Sequence, residues 1–170
     1  MPIGDRFLRV NHAGENGAVH IYTGQILLAR LTARKLVPEL IEFRLHERNH
    51  RAIFAEALRA RGARRCRSYL LCGAGGFALG VVTGLLGPRA ISATTAAVER
   101  VVLDHLMDQI AELAGKDATA IAAISSIVDD ESRHHDASAA RAVTGGLWER
   151  WLTPIVAAST SAVIWMGMRL

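Results

Sequence analysis

Cysteine is nearly absent from this chain. Cys66 and Cys72 are too few and too awkwardly spaced for a disulfide framework or a zinc site, and the usage fits a reducing compartment. Aromatic residues are scarce as well, at 5%, although half the chain is hydrophobic, and Ala, Leu and Gly dominate. With little apolar–polar alternation of period two, that profile excludes a strand-built sandwich and indicates packed helices. At 170 residues we expect one all-α domain, residues 1–170, with a substantial core. No charged-then-apolar leader precedes the first periodic segment. The protein is therefore expected to act where it is made, unless a presequence has been removed. The net charge of +4 is local, because Arg59, Arg61, Arg64, Arg65 and Arg67 lie within nine positions. Such a cluster can meet phosphates, anionic lipid or water. Without interleaved aromatics or a reading motif, nucleic acid is excluded as a partner.

What is present is a pair of matched motifs. Glu47 and His50 form one Glu-x-x-His, and Glu131 and His134 form another. On a helix, residues three apart share a face, so each pair offers a carboxylate and an imidazole to one point. A single such match means little. Here each is preceded, 32 positions upstream, by a glutamate in an apolar helical context: Glu15 before Glu47, and Glu99 before Glu131. The two triplets are related by a constant offset of 84, which Gln25/Gln109 and Ile26/Ile110 share. Two copies at this length read as a duplicated two-helix unit. One Glu from each of two helices and Glu-x-x-His from each of the other two is the inward-facing ligand set of a dimetal four-helix bundle. The expected metal ligands are Glu15, Glu47, His50, Glu99, Glu131 and His134.

In chain order, the spacing predicts a first helix over about Asp5 to Arg34. Gly14 and Gly17 beside Glu15 either let a neighbouring helix or metal approach closely or mark a late helix start. A second helix is predicted over about Val37 to Arg61, opened by Pro38 in its first turn and ended by Gly62. Residues 68–88 contain no charge and six glycines. They are long enough to cross a bilayer, but the need to return Glu99 to the site favours a shallow dip or a bent interfacial helix. The adjacent Arg cluster suits an anionic lipid surface; the alternative is a buried core helix with a solvated basic loop. Further helices are predicted over about Ile91 to Ala114, closed by Gly115, and over Asp117 to Val143, ended by Gly145-Gly146. In the last segment, residues 152–168 are again uncharged, with Trp148, Trp151 and Trp165 near the two ends. That pattern fits a membrane interface or a sixth helix capping the bundle.

Four ionised glutamates converging in an apolar bundle would repel, and two divalent cations would cancel their charge. Oxygen-rich ligation with one imidazole per metal suits iron or manganese better than zinc or calcium, and a pair cycling with O₂ favours two iron ions. Asp130 either reaches Nδ of His50 or is a solvated position; its repeat equivalent is His46.

The stretches Asn11-His12-Ala13-Gly14-Glu15, Ile21-Tyr22 with Gly24-Gln25, Gly76-Phe77-Ala78-Leu79-Gly80, Ala97-Val98-Glu99, and Asp130-Glu131 through His134-His135-Asp136 resemble the demethoxyubiquinone hydroxylase family over nearly the whole chain. The resemblance implies a ferritin-like fold with a carboxylate-bridged diiron centre held by the six ligands above. It also implies peripheral membrane attachment and hydroxylation of the ring of 5-demethoxyubiquinol with O₂ in ubiquinone biosynthesis. Two positions depart from the family pattern. Asp104-His105-Leu106 stands where His-His-Tyr is common, leaving His105 as the candidate proton relay or quinol contact, and Arg100 replaces the second residue of a Glu-Glu pair.

No Gly-x-Gly-x-x-Gly nucleotide fingerprint occurs in a strand–helix context, so an external two-electron donor is expected. The expected partners are membrane lipid, the quinol, a second copy in a homodimer or small oligomer, and other quinone-biosynthesis proteins. The expected location is the cytoplasmic face of a bacterial cell membrane, or the matrix side of the inner mitochondrial membrane if a presequence has been removed. The rival reading is a ferritin-like protein that oxidises or sequesters iron without quinone activity. A non-catalytic membrane adaptor is the third.

Overall fold

Two helical hairpins frame the molecule, and a further helix lies against each. In the computed structural model, which describes residues 1–142 and 146–170, the first hairpin is α1 (Ile3–Thr32) and α2 (Val37–Ala60). A short 3₁₀ turn, Arg34–Leu36, joins them. Helix α3 (Tyr69–Leu86) then packs along α1. The second hairpin is α4 (Pro88–Leu113) with α5 (Ala118–Ser125) and α6 (Val128–Ala139), and α7 (Leu147–Gly167) packs along α4. Among the described residues there is no strand, and the all-α bundle expected from composition is what forms. The unit that repeats is thus a hairpin plus the helix lying on it.

The helix ends follow local chemistry. Gly62 and Gly115 adopt positive φ just past α2 and α4, a backbone conformation that costs an L side chain strain even in open space. Helix α1 is already regular from Ile3, so Gly14 and Gly17 lie well inside it and mark no late start. The single residue between α3 and α4 is Gly87, at φ 94° and ψ −172°, a region open essentially to glycine alone. This one-residue reversal returns the chain from the outer layer to the core and brings Glu99 back to the site.

The long fifth helix expected from Asp117 to Val143 is broken instead. The Ser126 hydroxyl donates to the Ala123 carbonyl at 2.8 Å, the acceptor that Ile127 N–H would need to continue the helix. Ile127 N–H turns to Ile124 at 3.4 Å, and its side chain drops fully into the core. Helix α6 then opens with Asp129, Asp130 and Glu131 in its first turn, where the helix dipole favours negative charge. It ends at Ala139. The expected end at Val143 and Gly145 lies outside the described residues.

Apolar layers close the bundle above and below the six predicted ligands. One contains Phe7, Leu8, Phe54, Leu58, Leu106 and Ile127. The other contains Tyr22, Ile26, Leu40, Phe43 and Ile91. Each such buried side chain contributes about 1.5–3 kcal/mol. Charged clamps tie the hairpins together. The Arg61 guanidinium is bidentate to Asp117 at 2.7 Å, reaches Asp5 at 3.1 Å, and also bonds Thr119. Arg141 grips Glu39. Arg61 therefore does not belong to a free basic cluster. Arg59, Arg64, Arg65 and Arg67 stay exposed, Arg59 beside Glu56 and Arg65 over the Tyr69 ring at 4.9 Å.

Helix α3 is the one described helix long and apolar enough to cross a membrane, with a mean hydropathy of 1.8, and only 28% of it is buried. Its inner face is glycine: a Cβ on Gly80 would stand 2.1 Å from the Ile21 carbonyl oxygen. Gly80→Ala is therefore expected to force α1 and α3 apart, costing about 1–3 kcal/mol as for other overpacked cores. Gly75→Ala meets open space and should be neutral or stabilising by up to about 1 kcal/mol through helix propensity. Thermal unfolding of the two variants side by side checks the contrast.

Candidate metal centre

All six predicted ligands come together. Glu15, Glu47, His50, Glu99, Glu131 and His134 are each at least 95% buried. They fall into two overlapping groups whose ligand atoms lie within 4.8 Å of one another: Glu15, Glu47, His50 and Glu131, then Glu47, Glu99, Glu131 and His134. Glu47 and Glu131 belong to both. Each half of the repeat contributes one member of every symmetric relation. His50 Nδ1 lies 2.9 Å from Glu131 and 3.7 Å from Glu47, and His134 Nδ1 lies 3.1 Å from Glu47 and 3.7 Å from Glu131.

These side chains converge without bonding to each other. Glu47 Oε1, both Glu131 oxygens and Nδ1 of both histidines are buried and complete no hydrogen bond despite these approaches. Unsatisfied buried polar atoms are costly, and a set aimed at shared points fits a pair of cations. The electrostatics agree. Burial, then the neighbouring carboxylates, push Glu15 and Glu99 well above the usual carboxylate range. Burial alone would lower the imidazoles, but Glu131 and Glu47 outweigh it and raise His50 to about 10 and His134 to about 9. Protons here hold places that cations would take.

Supporting groups surround the set. Asp130 does reach His50, but at Nε2 (3.1 Å) rather than Nδ, because Nδ1 faces inward. His46 stands in the equivalent place on the other side, its Nδ1 3.0 Å from His134 Nε2, the rings parallel within 6°. The Tyr22 hydroxyl donates to Glu99 at 2.8 Å. From sequence Tyr22 stood only within a family-like stretch; its seven-residue spacing from Glu15, which puts both on one helix face, was the available signal. An amide pair, Asn11 with Gln109 at 2.7 and 3.0 Å, crosses from α1 to α4.

A cavity of about 480 Å³ opens on one side of this centre. Its walls are apolar side chains of α1, α3, α4 and α7, among them Ile21, Leu71, Leu79, Val102, Val163 and Ile164. Its floor is Glu15, Glu47, Glu99 and Glu131, while His50 and His134 lie behind that floor and do not line it. His105 lines the wall beside Asn11; burial lowers its pKa, and its Nε2 has no partner. Arg100 is exposed.

The family model described as "Ubiquinone biosynthesis protein COQ7" matches residues 3–167. The chain belongs to the COQ7 family. Among its relatives are the "NADPH-dependent 3-demethoxyubiquinone 3-hydroxylase, mitochondrial" of Dictyostelium discoideum, 35% identical over 98% of this chain and 77% of that protein, and its Mus musculus namesake, 32% identical over 97% and 77%. The "3-demethoxyubiquinol 3-hydroxylase" of Rhodospirillum rubrum is 35% identical over 98% of this chain and 78% of that protein. These relatives include both bacterial and mitochondrial proteins.

Proposed function

We propose that this COQ7-family protein is a diiron monooxygenase that hydroxylates the ring of a demethoxyubiquinol with O₂, the relatives' names counting the ring position as 3 rather than 5. The observation that carries this reading is an apolar cavity whose floor is four converging carboxylates. A cavity of this size is typical of small-molecule sites, and its walls suit a quinol ring and the first part of a prenyl tail. A protein that only stored iron would need a polar route to the same carboxylates, which disfavours the sequestering alternative.

In this reading Glu15, Glu47, His50, Glu99, Glu131 and His134 hold two iron ions, with Glu47 and Glu131 shared. The bound pair supplies O₂ activation, one oxygen atom entering the ring and the other leaving as water. The chain's own residues do the rest. The histidines, placed behind the carboxylates, leave the cavity side open to substrate. Tyr22 fixes Glu99 through its hydroxyl. The apolar walls exclude water from the reacting ring. His105, on the cavity wall and kept uncharged by burial, is the candidate to accept or return a quinol proton. The two electrons come from outside, and the names of mitochondrial relatives suggest a reduced nicotinamide as their source.

The exposed faces of α3 and α7 support membrane attachment. Leu70, Leu71, Val82 and Leu85 on α3, and Trp151, Ile155 and Trp165 on α7, are exposed apolar residues. They flank the cavity wall, so a quinol could pass from lipid to the centre. Docking would be peripheral, on the cytoplasmic face of a bacterial membrane or the matrix face of a mitochondrial one. The same reading takes residues 1–170 as one domain working as a small oligomer with other quinone-biosynthesis proteins.

The deciding experiment supplies iron-loaded protein with a short-tailed 3-demethoxyubiquinol, NADPH with a reductase, and labelled O₂. A product carrying one labelled oxygen is expected; iron oxidation without quinol turnover would overturn the reading. Gly14 offers a sharper arm, since it lines the cavity and a Cβ there meets nothing within 4 Å. Gly14→Leu should fill the substrate space, keep both irons and lower hydroxylation by about 100-fold, the scale set by misplacing a substrate by about 1 Å.

A further inference from the structure

We propose that the two metal positions are unequal, and that His46 makes them so by backing one ligand histidine with a neutral imidazole where a carboxylate backs the other. The inference rests on the two-metal reading above. The repeat offset that relates His50 to His134 also relates Asp130 to His46, so the two supporting residues occupy equivalent places on chemically different terms. Both histidines turn Nδ1 toward the carboxylates and Nε2 outward. With Nδ1 given to a metal, each Nε2 carries the hydrogen and donates it. His50 donates to the Asp130 carboxylate at 3.1 Å. His134 donates to His46 Nδ1 at 3.0 Å. An imidazole that accepts at Nδ1 carries its own proton on Nε2 and has no net charge.

The difference reaches the metals. A carboxylate acceptor draws the Nε2 proton outward, makes the ring a more basic ligand and adds negative charge near the cation. A neutral acceptor orients the ring equally well but does neither. Asp130 also pairs with Arg133 through its other oxygen. The position formed by Glu15, Glu47, His50 and Glu131 should therefore bind its cation more tightly and favour the higher oxidation state. The position formed with Glu99 and His134 should fill second. His46 acts here as a positioning residue, since His134 stands between it and the metal.

Anaerobic titration with Fe(II), read by calorimetry, tests this without catalysis. Wild type is expected to take up two ions in separate steps, with affinities about 10–100-fold apart, the range that such supporting partners govern. His46→Asp, which grows a carboxylate at the equivalent place, should close that gap. His46→Gln, which keeps a neutral acceptor, should preserve it. Mössbauer spectra of the reduced, loaded protein should show two iron environments in wild type and His46→Gln, and converge toward one in His46→Asp. If His46→Asp does not fold, Asp130→His makes the supports alike from the other side and should also bring the steps together. Two ions bound in one step by wild type, or a gap unmoved by these exchanges, would overturn the inference and leave the metal reading intact. Fewer than two ions bound by wild type would overturn both.

Discussion

Glu131→Ala is expected to remove both metals and all hydroxylation together. Glu131 belongs to both ligand groups, so its loss takes one donor from each position at once. The affinity loss should therefore exceed the roughly 10–100-fold that follows from removing a mere supporting partner. Activity should fall to that of metal-free protein. Glu15→Ala is the comparison, because Glu15 belongs to one group only and its removal should leave the position of Glu47, Glu99, Glu131 and His134 occupied. Elemental analysis of purified variants, alongside mass spectrometry of the quinol, measures both quantities. Two irons retained per chain by Glu131→Ala would contradict the shared-ligand geometry.

The second large effect runs the opposite way. In metal-free protein, Glu99→Gln should stabilise the fold, while in loaded protein it should weaken the one metal position that Glu99 belongs to. Burial and like charge raise the Glu99 carboxyl well above its ordinary value. A carboxyl whose folded pKa lies above its unfolded one weighs against folding at every pH above the ordinary glutamate range. That penalty grows as pH rises until the folded-state group ionises. An amide of the same shape removes the penalty and still accepts from the Tyr22 hydroxyl. The gain should be about 0.5–2 kcal/mol, as is common when a strained functional group is neutralised. In a chain of this size that corresponds to a rise in Tm of roughly 2–4 °C per kcal/mol. The advantage should vanish below about pH 4, where the wild-type carboxyl is protonated in both states. Equal melting of the two metal-free proteins at neutral pH would show that the carboxylates are not in conflict.

The acidic centre was legible because its chemistry is written at fixed spacing. Helical periodicity and the offset of 84 require only that two hairpins be copies, and both ligand triplets then arrive together. Asp130 could also be read, as a carboxylate one residue from a ligand, although the choice of Nε2 over Nδ depended on which way the His50 ring turned. What escaped was set by competition for backbone partners. The break at Ser126 and Ile127 depends on one hydroxyl capturing one carbonyl, and the helical periodicity of the flanking residues hides it. The acidic run Asp129-Asp130-Glu131, which suits the first turn of a helix, was the signal that a new helix starts there. Arg61 was likewise misplaced from sequence, since a run of arginines says nothing of Asp5 and Asp117 waiting at distant positions. The cavity was least legible, because it is the space left by α3 and α7 lying on α1 and α4.

The internal two-fold extends beyond the ligands to those outer helices, and it bears on assembly. A lone half holds three of six donors and could complete the centre only by finding a twin, at a rate set by how crowded the solution is. Covalent fusion makes that meeting unimolecular, so a scarce protein can assemble its cofactor site as readily as an abundant one. It also frees each half from having to match itself, and the broken helix and the exchange of an acid for an imidazole are liberties that a symmetric pair of identical chains could not take.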